Sequence, residues 1–226
     1  MPDRLTTLAV LVTAPPLPVI PALCHGSPLA GVAVCYHGPI EDGEIASGAL
    51  CAFGLPAAEH VVPMPCTVVQ ALFDVSAPTG MLNYWRSAHL RGLSDDAIET
   101  IVAHTATMAP GLSTIHIYQL GGAMGLVGES VTAFAYRDAP FVLNVISTLG
   151  DSAESDKQIQ WIRAFARAME PYANGVYVNF LRNESEERVK AACGANYGRL
   201  VVLQNKYDPT NVFHLNQNVK SARSST

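Results

Sequence analysis

Two side chains two residues apart carry the clearest chemical suggestion in the chain. In Tyr177-Val178-Asn179-Phe180 a phenol and an amide alternate with two apolar residues. On an extended strand, side chains alternate between faces, so Tyr177 and Asn179 would share one face and Val178 and Phe180 the other. A free phenol with pKa of about 10 is a poor base at neutral pH. It becomes one only where a positive charge or a strong hydrogen bond stabilises the phenolate. His116 is a second candidate, since alternation over Thr114–Leu120 places His116, Tyr118 and Leu120 on one face and Gln119 on the other. The tail carries Asn216, Gln217 and Asn218, amides suited to hydrogen bonding and unsuited to acid–base work.

Composition narrows the class of protein that positions these groups. The 226 residues are 49% hydrophobic and 15% charged, as expected of a folded, well-buried chain. A net charge of −5 makes neither nucleic acid nor an anionic membrane surface an obvious partner. The apolar run Leu8–Leu23 is interrupted by Pro15, Pro16, Pro18 and Pro21, so it does not read as a membrane span. A single Arg4 beside Asp3 does not read as the start of a secretion signal. Cys24, Cys35, Cys51, Cys66 and Cys193 include no Cys-x-x-Cys pair, which points to buried free thiols in a reducing cytoplasm, without disulfides or metal. No phosphate loop, Gly-x-Ser-x-Gly or His-Glu-x-x-His motif is present. Gly121-Gly122-Ala123-Met124-Gly125 reads as a strand terminus or bulge.

Strands are expected over Leu8–Thr13, Val32–Tyr36, Val61–Val62, Leu82–Leu90, Thr114–Leu120, Leu143–Leu149 and Val176–Phe180. Helices are expected over Glu44–Phe53, Thr67–Phe73, Ser152–Glu170, Glu184–Ala192 and Asn196–Lys206. Another helix starts at the Ser94 N-cap, with Ile98, Ile101, Val102 and Thr105 on its apolar face. In Ser152–Glu170 the apolar stripe is Ile159, Ile162, Ala166 and Met169, flanked by Trp161 and Phe165. No regular strand–helix–strand rhythm appears. The expected fold is therefore α+β, an antiparallel sheet with helices packed on one face.

A set of short motifs in fixed order sharpens this. Pro15-Pro16-Leu17-Pro18, Met64-Pro65, Tyr84-Trp85-Arg86-Ser87, Gly121-Gly122-Ala123, Thr132-Ala133-Phe134 with Arg137, and Tyr177-Val178-Asn179-Phe180 follow one another. They lead to Tyr207-Asp208-Pro209-Thr210-Asn211 and Asn216-Gln217-Asn218. From about Leu8 to Val219 this order resembles the substrate domain and C-terminal segment of berberine-bridge-enzyme-like FAD-linked oxidases. The resemblance implies a flavin-roofing domain over residues 1–175, a berberine-like segment over 176–219 and a disordered tail over 220–226. It implies FAD and a small-molecule alcohol, sugar or amine as partners, with hydride transfer to flavin N5 and O2 as the acceptor. It assigns Tyr177 and His116 to catalysis, and Asn179, Asn216 and Gln217 to the cofactor.

Two departures stand out. Phe134-Ala135-Tyr136-Arg137 replaces the Phe-Pro-His-Arg of many relatives, and Phe180 stands where some have tyrosine. Nothing in the chain resembles the family's FAD-binding domain, so FAD binding is expected to require that domain. A non-enzymatic, small-molecule-binding or homodimeric domain is the alternative reading, since an unroofed sheet exposes a face that favours association.

Overall fold

The computed structural model describes residues 2–76, 78–108, 113–149, 152–181, 185–215 and 217–220. Among them, six strands form one antiparallel sheet in the order β2-β1-β4-β5-β3-β6. The strands are β1 (Leu5–Thr13), β2 (Pro28–Tyr36), β3 (Leu82–Leu90), β4 (Thr114–Gln119), β5 (Phe141–Leu149) and β6 (Ala173–Gly175). The helices are α1 (Ile40–Cys51), α2 (Cys66–Ala71), α3 (Asp95–Thr105), α4 (Ser152–Met169), α5 (Glu186–Cys193) and α6 (Tyr197–Tyr207).

Period-two alternation gives the sheet two unlike faces. One carries Leu90, Ile115, Leu143, Val145 and Leu149, which pack with Ile101 of α3 and Ile162, Phe165 and Met169 of α4. Phe165, Ile162, Leu90 and Ile115 are fully buried, each contributing about 1.5–3 kcal/mol of apolar transfer. Polar groups on this face are satisfied: Ser147 hydrogen-bonds Gln158 of α4, and Arg163 of α4 donates to the Tyr84 hydroxyl at 3.1 Å. The other face of the five longer strands carries no Asp, Glu, Lys or Arg, and α3 and α4 leave it uncovered.

The α+β expectation holds, with helices α3 and α4 on one face. The Ser94 hydroxyl caps α3 by accepting from the Ala97 amide at 3.3 Å, with Asp95 and Asp96 in the first turn, where the helix dipole favours negative charge. The buried line of α3 differs from the expected one. Ala97 and Ile101 are buried, while Ile98 and Val102 are 44% and 59% exposed. The helix is seated by His104, whose ring stacks on Phe165 at 4.7 Å, and this turns Ile98 and Val102 outward. On α4, Phe165 lies at the centre of the buried stripe beside Ile162 and Met169.

Val61–Val62 forms no strand; it lies in an irregular, exposed connection where Pro63 and Pro65 withhold backbone donors. Val176–Phe180 is also not a strand. The chain leaves β6 at Gly175 and tightens into a 3-10 turn over Val178–Phe180. The cysteines are free thiols, yet only Cys193 is buried; Cys35 and Cys66 are exposed. Cys35 sits on an edge strand and Cys66 opens α2, two positions with one open side.

Candidate functional site on the open sheet face

The open face is built row by row by strand register. His116 of β4 stands opposite Asn144 of β5, and Asn144 opposite Ser87 of β3. In the next row Tyr118 faces Val142, and Val142 faces His89. Cross-strand partners of this kind lie about 4.5–5.5 Å apart at Cβ, so the first row is a continuous line of three polar side chains. His116 is buried, and its Nδ1 lies 3.2 Å from the Tyr118 hydroxyl. Burial lowers the His116 pKa and raises that of Tyr118. At neutral pH the pair is therefore a neutral imidazole beside a neutral phenol. Gln119, on the other face as expected, accepts from Thr7 Oγ1 at 3.0 Å.

Three buried polar atoms on this face have no partner: Ser87 Oγ, Asn144 Oδ1 and His89 Nδ1. Unpaired buried groups of this sort are rare, because each forfeits its hydration with no return. Three on one face, with Ser87 and Asn144 directly opposed, mark it off from the helix-covered side.

The segment after β6 lies across one end of this face. Trp85 donates its indole N–H to the Phe180 carbonyl at 2.8 Å. The Phe180 ring is 5.9 Å from Tyr118 and 5.1 Å from Tyr177. The turn over 178–180 brings Asn179 back on Tyr177, so that the Asn179 amide donates to the Tyr177 hydroxyl at 2.8 Å. The phenol and amide therefore meet, by a turn and not by strand alternation. Tyr84, by contrast, faces α4, and only Trp85 of that pair looks onto the open face.

Tyr136 ties the segment down. It adopts a left-handed backbone, with φ of 57°, unusual for a bulky residue. Its hydroxyl donates to the Ala191 carbonyl of α5 at 2.5 Å. Its ring occupies the space that a Cβ on Gly175 would need, with ring carbons 2.4–2.7 Å from that position, so only glycine fits there. The same ring packs on His89 at 5.1 Å. Arg137 secures the preceding loop by donating to the Met124 carbonyl at 2.8 Å and to Thr132 Oγ1 at 2.6 Å. Arg199 donates to the Ser130 carbonyl at 2.8 Å, a structural role.

Between the segment and the sheet lies a cavity of about 180 Å³, lined among others by His89, Phe134, Tyr177, Cys193 and Gln217. It brings together two of the five residues singled out in the sequence, Tyr177 and Gln217. Gln217 donates to the Leu181 carbonyl at 2.9 Å. Asn179 joins the cavity through Tyr177. His116 does not line it, and connects to it through Tyr118 and Phe180. Asn216 lies outside the described residues, as do 221–226; Lys220 ion-pairs with Glu186 at 2.8 Å. His89, Asn144 and Ser87 were not singled out from the sequence, although alternation along β3 and β5 places all three on the face of His116.

Residues 176–220 match the family described as berberine and berberine like. An FAD-linked oxidoreductase of Dictyostelium discoideum is 26% identical over 191 residues, covering 84% of this chain and 42% of that protein. The uncharacterized FAD-linked oxidoreductase YgaK of Bacillus subtilis is 32% identical over 134 residues, covering 59% and 30%. The structure of 6-hydroxy-D-nicotine oxidase from Arthrobacter nicotinovorans superposes with a TM-score of 0.76 at 17% identity, covering 95% of this chain and 48% of that one. The chain is similar to FAD-linked oxidoreductases over most of its length, matches the berberine-like family over residues 176–220, and spans less than half the length of these three proteins. Among the described residues no helix is long and apolar enough to cross a membrane, and no group of three or more His, Cys, Asp or Glu is placed to hold a metal.

FAD is the cofactor of these relatives. The open face fits the ring end of such a group: it is free of charged residues and carries unpaired hydrogen-bonding atoms at Ser87 and Asn144. It offers no Lys or Arg for a diphosphate, so the fit is to the flavin ring and not to the nucleotide.

Proposed function

We propose that this chain forms the substrate side of the flavin site in an FAD-dependent oxidoreductase, with residues 1–175 as the flavin-roofing domain and 176–219 as the berberine-like segment. The substrates are alcohols, sugars or amines and O2 is the final acceptor. The bound flavin supplies the hydride acceptor at N5. The observation that carries this reading is the hydrogen-bonded Tyr177–Asn179 pair held against a charge-free open sheet face.

Tyr177 takes the proton from the substrate hydroxyl or amine as the adjacent C–H bond breaks. The Asn179 amide, donating to the Tyr177 hydroxyl at 2.8 Å, fixes the position of that oxygen beside the cavity. His116, neutral and bonded to Tyr118, orients substrate on the sheet as a hydrogen-bonding group. Ser87 and Asn144, with their unpaired Oγ and Oδ1, would hold the flavin ring by hydrogen bonds. Gln217 holds the tail against Leu181 and so closes the cavity beside Tyr177. The assignment of Asn216 to the cofactor is part of the same proposal.

Absorbance spectroscopy tests the reading. The chain joined to a flavin-binding domain of the length its relatives carry should retain a visible flavin band after desalting, bleach anaerobically with substrate, and regain colour with O2 and release of peroxide. A joined protein that holds flavin but never bleaches with any alcohol, sugar or amine contradicts it.

A second reading has its own observation. Leu23, Phe53, Leu55 and Phe213 are each more than four-fifths exposed, and exposed apolar surface of this kind favours association. A homodimer of this chain would cover it. Sedimentation of the chain alone, giving a concentration-independent dimer with no affinity for FAD, would favour that reading.

A further inference from the structure

Tyr177 sits on a stretch of chain with little regular structure of its own. β6 ends at Gly175, and Val178–Phe180 is a single 3-10 turn. Its backbone bonds run from the Phe180 amide to the Tyr177 carbonyl at 3.0 Å and from the Leu181 amide to the Val178 carbonyl at 3.2 Å. One such turn fixes several dihedrals for few bonds and is marginal alone. Yet Tyr177 depends on it. The Asn179 amide holds the Tyr177 hydroxyl at 2.8 Å, and the Phe180 ring meets the Tyr177 ring edge-on at 5.1 Å. Both groups belong to the turn, so the phenol oxygen goes where the turn goes.

Trp85 joins that turn to the sheet. Its indole N–H reaches from β3 to the Phe180 carbonyl at 2.8 Å, across 95 positions of sequence. An indole has one polar group, a donor, and here the turn accepts from it. The two tryptophans of the chain differ in this respect. Trp161 packs against the helix-side core and donates to the His104 carbonyl and to Thr107. Trp85 is half-buried on the opposite face and takes no part in that core. Two further contacts hold the ends of the segment, Tyr136 at Gly175 and Gln217 at Leu181. Trp85 holds the turn between them.

We propose that Trp85 is a positioning residue: its indole N–H fixes the 178–180 turn, so that Asn179 and Phe180 keep the Tyr177 phenol in one place beside the cavity. The consequence for catalysis rests on the reading of Tyr177 as the proton acceptor; the consequence for geometry does not. Misplacing a reacting group by about 1 Å costs about 10²-fold in rate. A loosened turn should therefore lower turnover more than substrate affinity.

The test replaces Trp85 by benzothienylalanine, which keeps the shape and puts sulfur in place of the N–H. A Trp161→Phe background, itself the reference protein, confines the change to residue 85. In the chain as it stands, the backbone amides of Phe180 and Leu181 should exchange with solvent about tenfold faster, while the α4 core amides stay unchanged. The nuclear Overhauser contact between the Asn179 amide and the Tyr177 ring should weaken. In the chain joined to a flavin-binding domain, anaerobic flavin reduction at saturating substrate should slow by about 10- to 100-fold, with KM within about twofold. Should the benzothienyl protein not fold, Trp85→Phe carries the same comparison. Unchanged exchange at Phe180 and Leu181, or a retained Asn179–Tyr177 contact, would overturn the proposal. So would a reference rate of reduction in a joined protein that Tyr177→Phe slows. A loosened turn, together with a Tyr177→Phe protein that reduces its flavin at the parental rate, would keep Trp85 as the holder of the pair and sink the base, so the two fail separately.

Discussion

The two faces of one sheet, built by alternate residues of the same strands, differ in kind. Beneath α3 and α4 the face is apolar, closed and satisfied, and even its serine and tyrosine find partners on α4. On the other side Ser87, Asn144 and His89 carry buried atoms with no partner, and an aromatic string runs from His116 through Tyr118 and Phe180 to Tyr177. A folded protein keeps unpaired buried polar groups only where something other than stability maintains them. The helix-covered face holds the fold; the open face is where we propose the chemistry.

Mutation should separate the faces sharply. Phe165→Ala, at a fully buried position, should cost about 3–5 kcal/mol by chemical denaturation. Asn144→Leu on the open face removes an unpaired acceptor, and should change stability by less than about 1 kcal/mol. Equal losses at both sites would erase the distinction.

The attachment of the berberine-like segment is the next contrast. Gly175→Ala places a methyl inside the Tyr136 ring contact and should cost about 1–3 kcal/mol through overpacking. It should also expose the Tyr177 cavity to hydrogen exchange ahead of the α4 core. Tyr136→Phe, which loses only the bond to Ala191, should cost about 1 kcal/mol.

Acid provides the smallest and most selective perturbation. Burial lowers the His89 pKa to about 4, against an opposing pull from Asp138, below the unfolded value of about 6.5. The unfolded chain then binds more protons in that window, so stability falls as pH drops from about 6.5 toward 4. In His89→Phe that slope should flatten, with the burial-lowered His116 contributing the remainder. An unchanged slope would place the acid sensitivity elsewhere.

How far the residues themselves foretold this differs by region. Leu82–Leu90 and the capped start of α3 were legible, since alternation and a Ser-Asp-Asp start are local signals. The face of Tyr177 and Asn179 was legible for the wrong reason. Alternation implied a strand, whereas the chain turns after Gly175 because Tyr136, some forty residues earlier, fills the space beside that glycine. His89 escaped notice because it reads as one more residue of an apolar strand. Only register, with Tyr136, Phe134 and Tyr177 converging from outside β3, makes it a cavity group. Non-local contacts of this kind leave no local pattern.

The most direct measurement is single-turnover flavin reduction under anaerobic conditions, in the chain joined to a flavin-binding domain, comparing Tyr177→Phe with the parent at matched flavin content. Loss of a positioned base should slow reduction by about 10²- to 10⁴-fold, with flavin retention and the melting temperature preserved. A variant that reduces its flavin at the parental rate would show that Tyr177 moves no proton, and that the open face serves the flavin site without the base assigned to it.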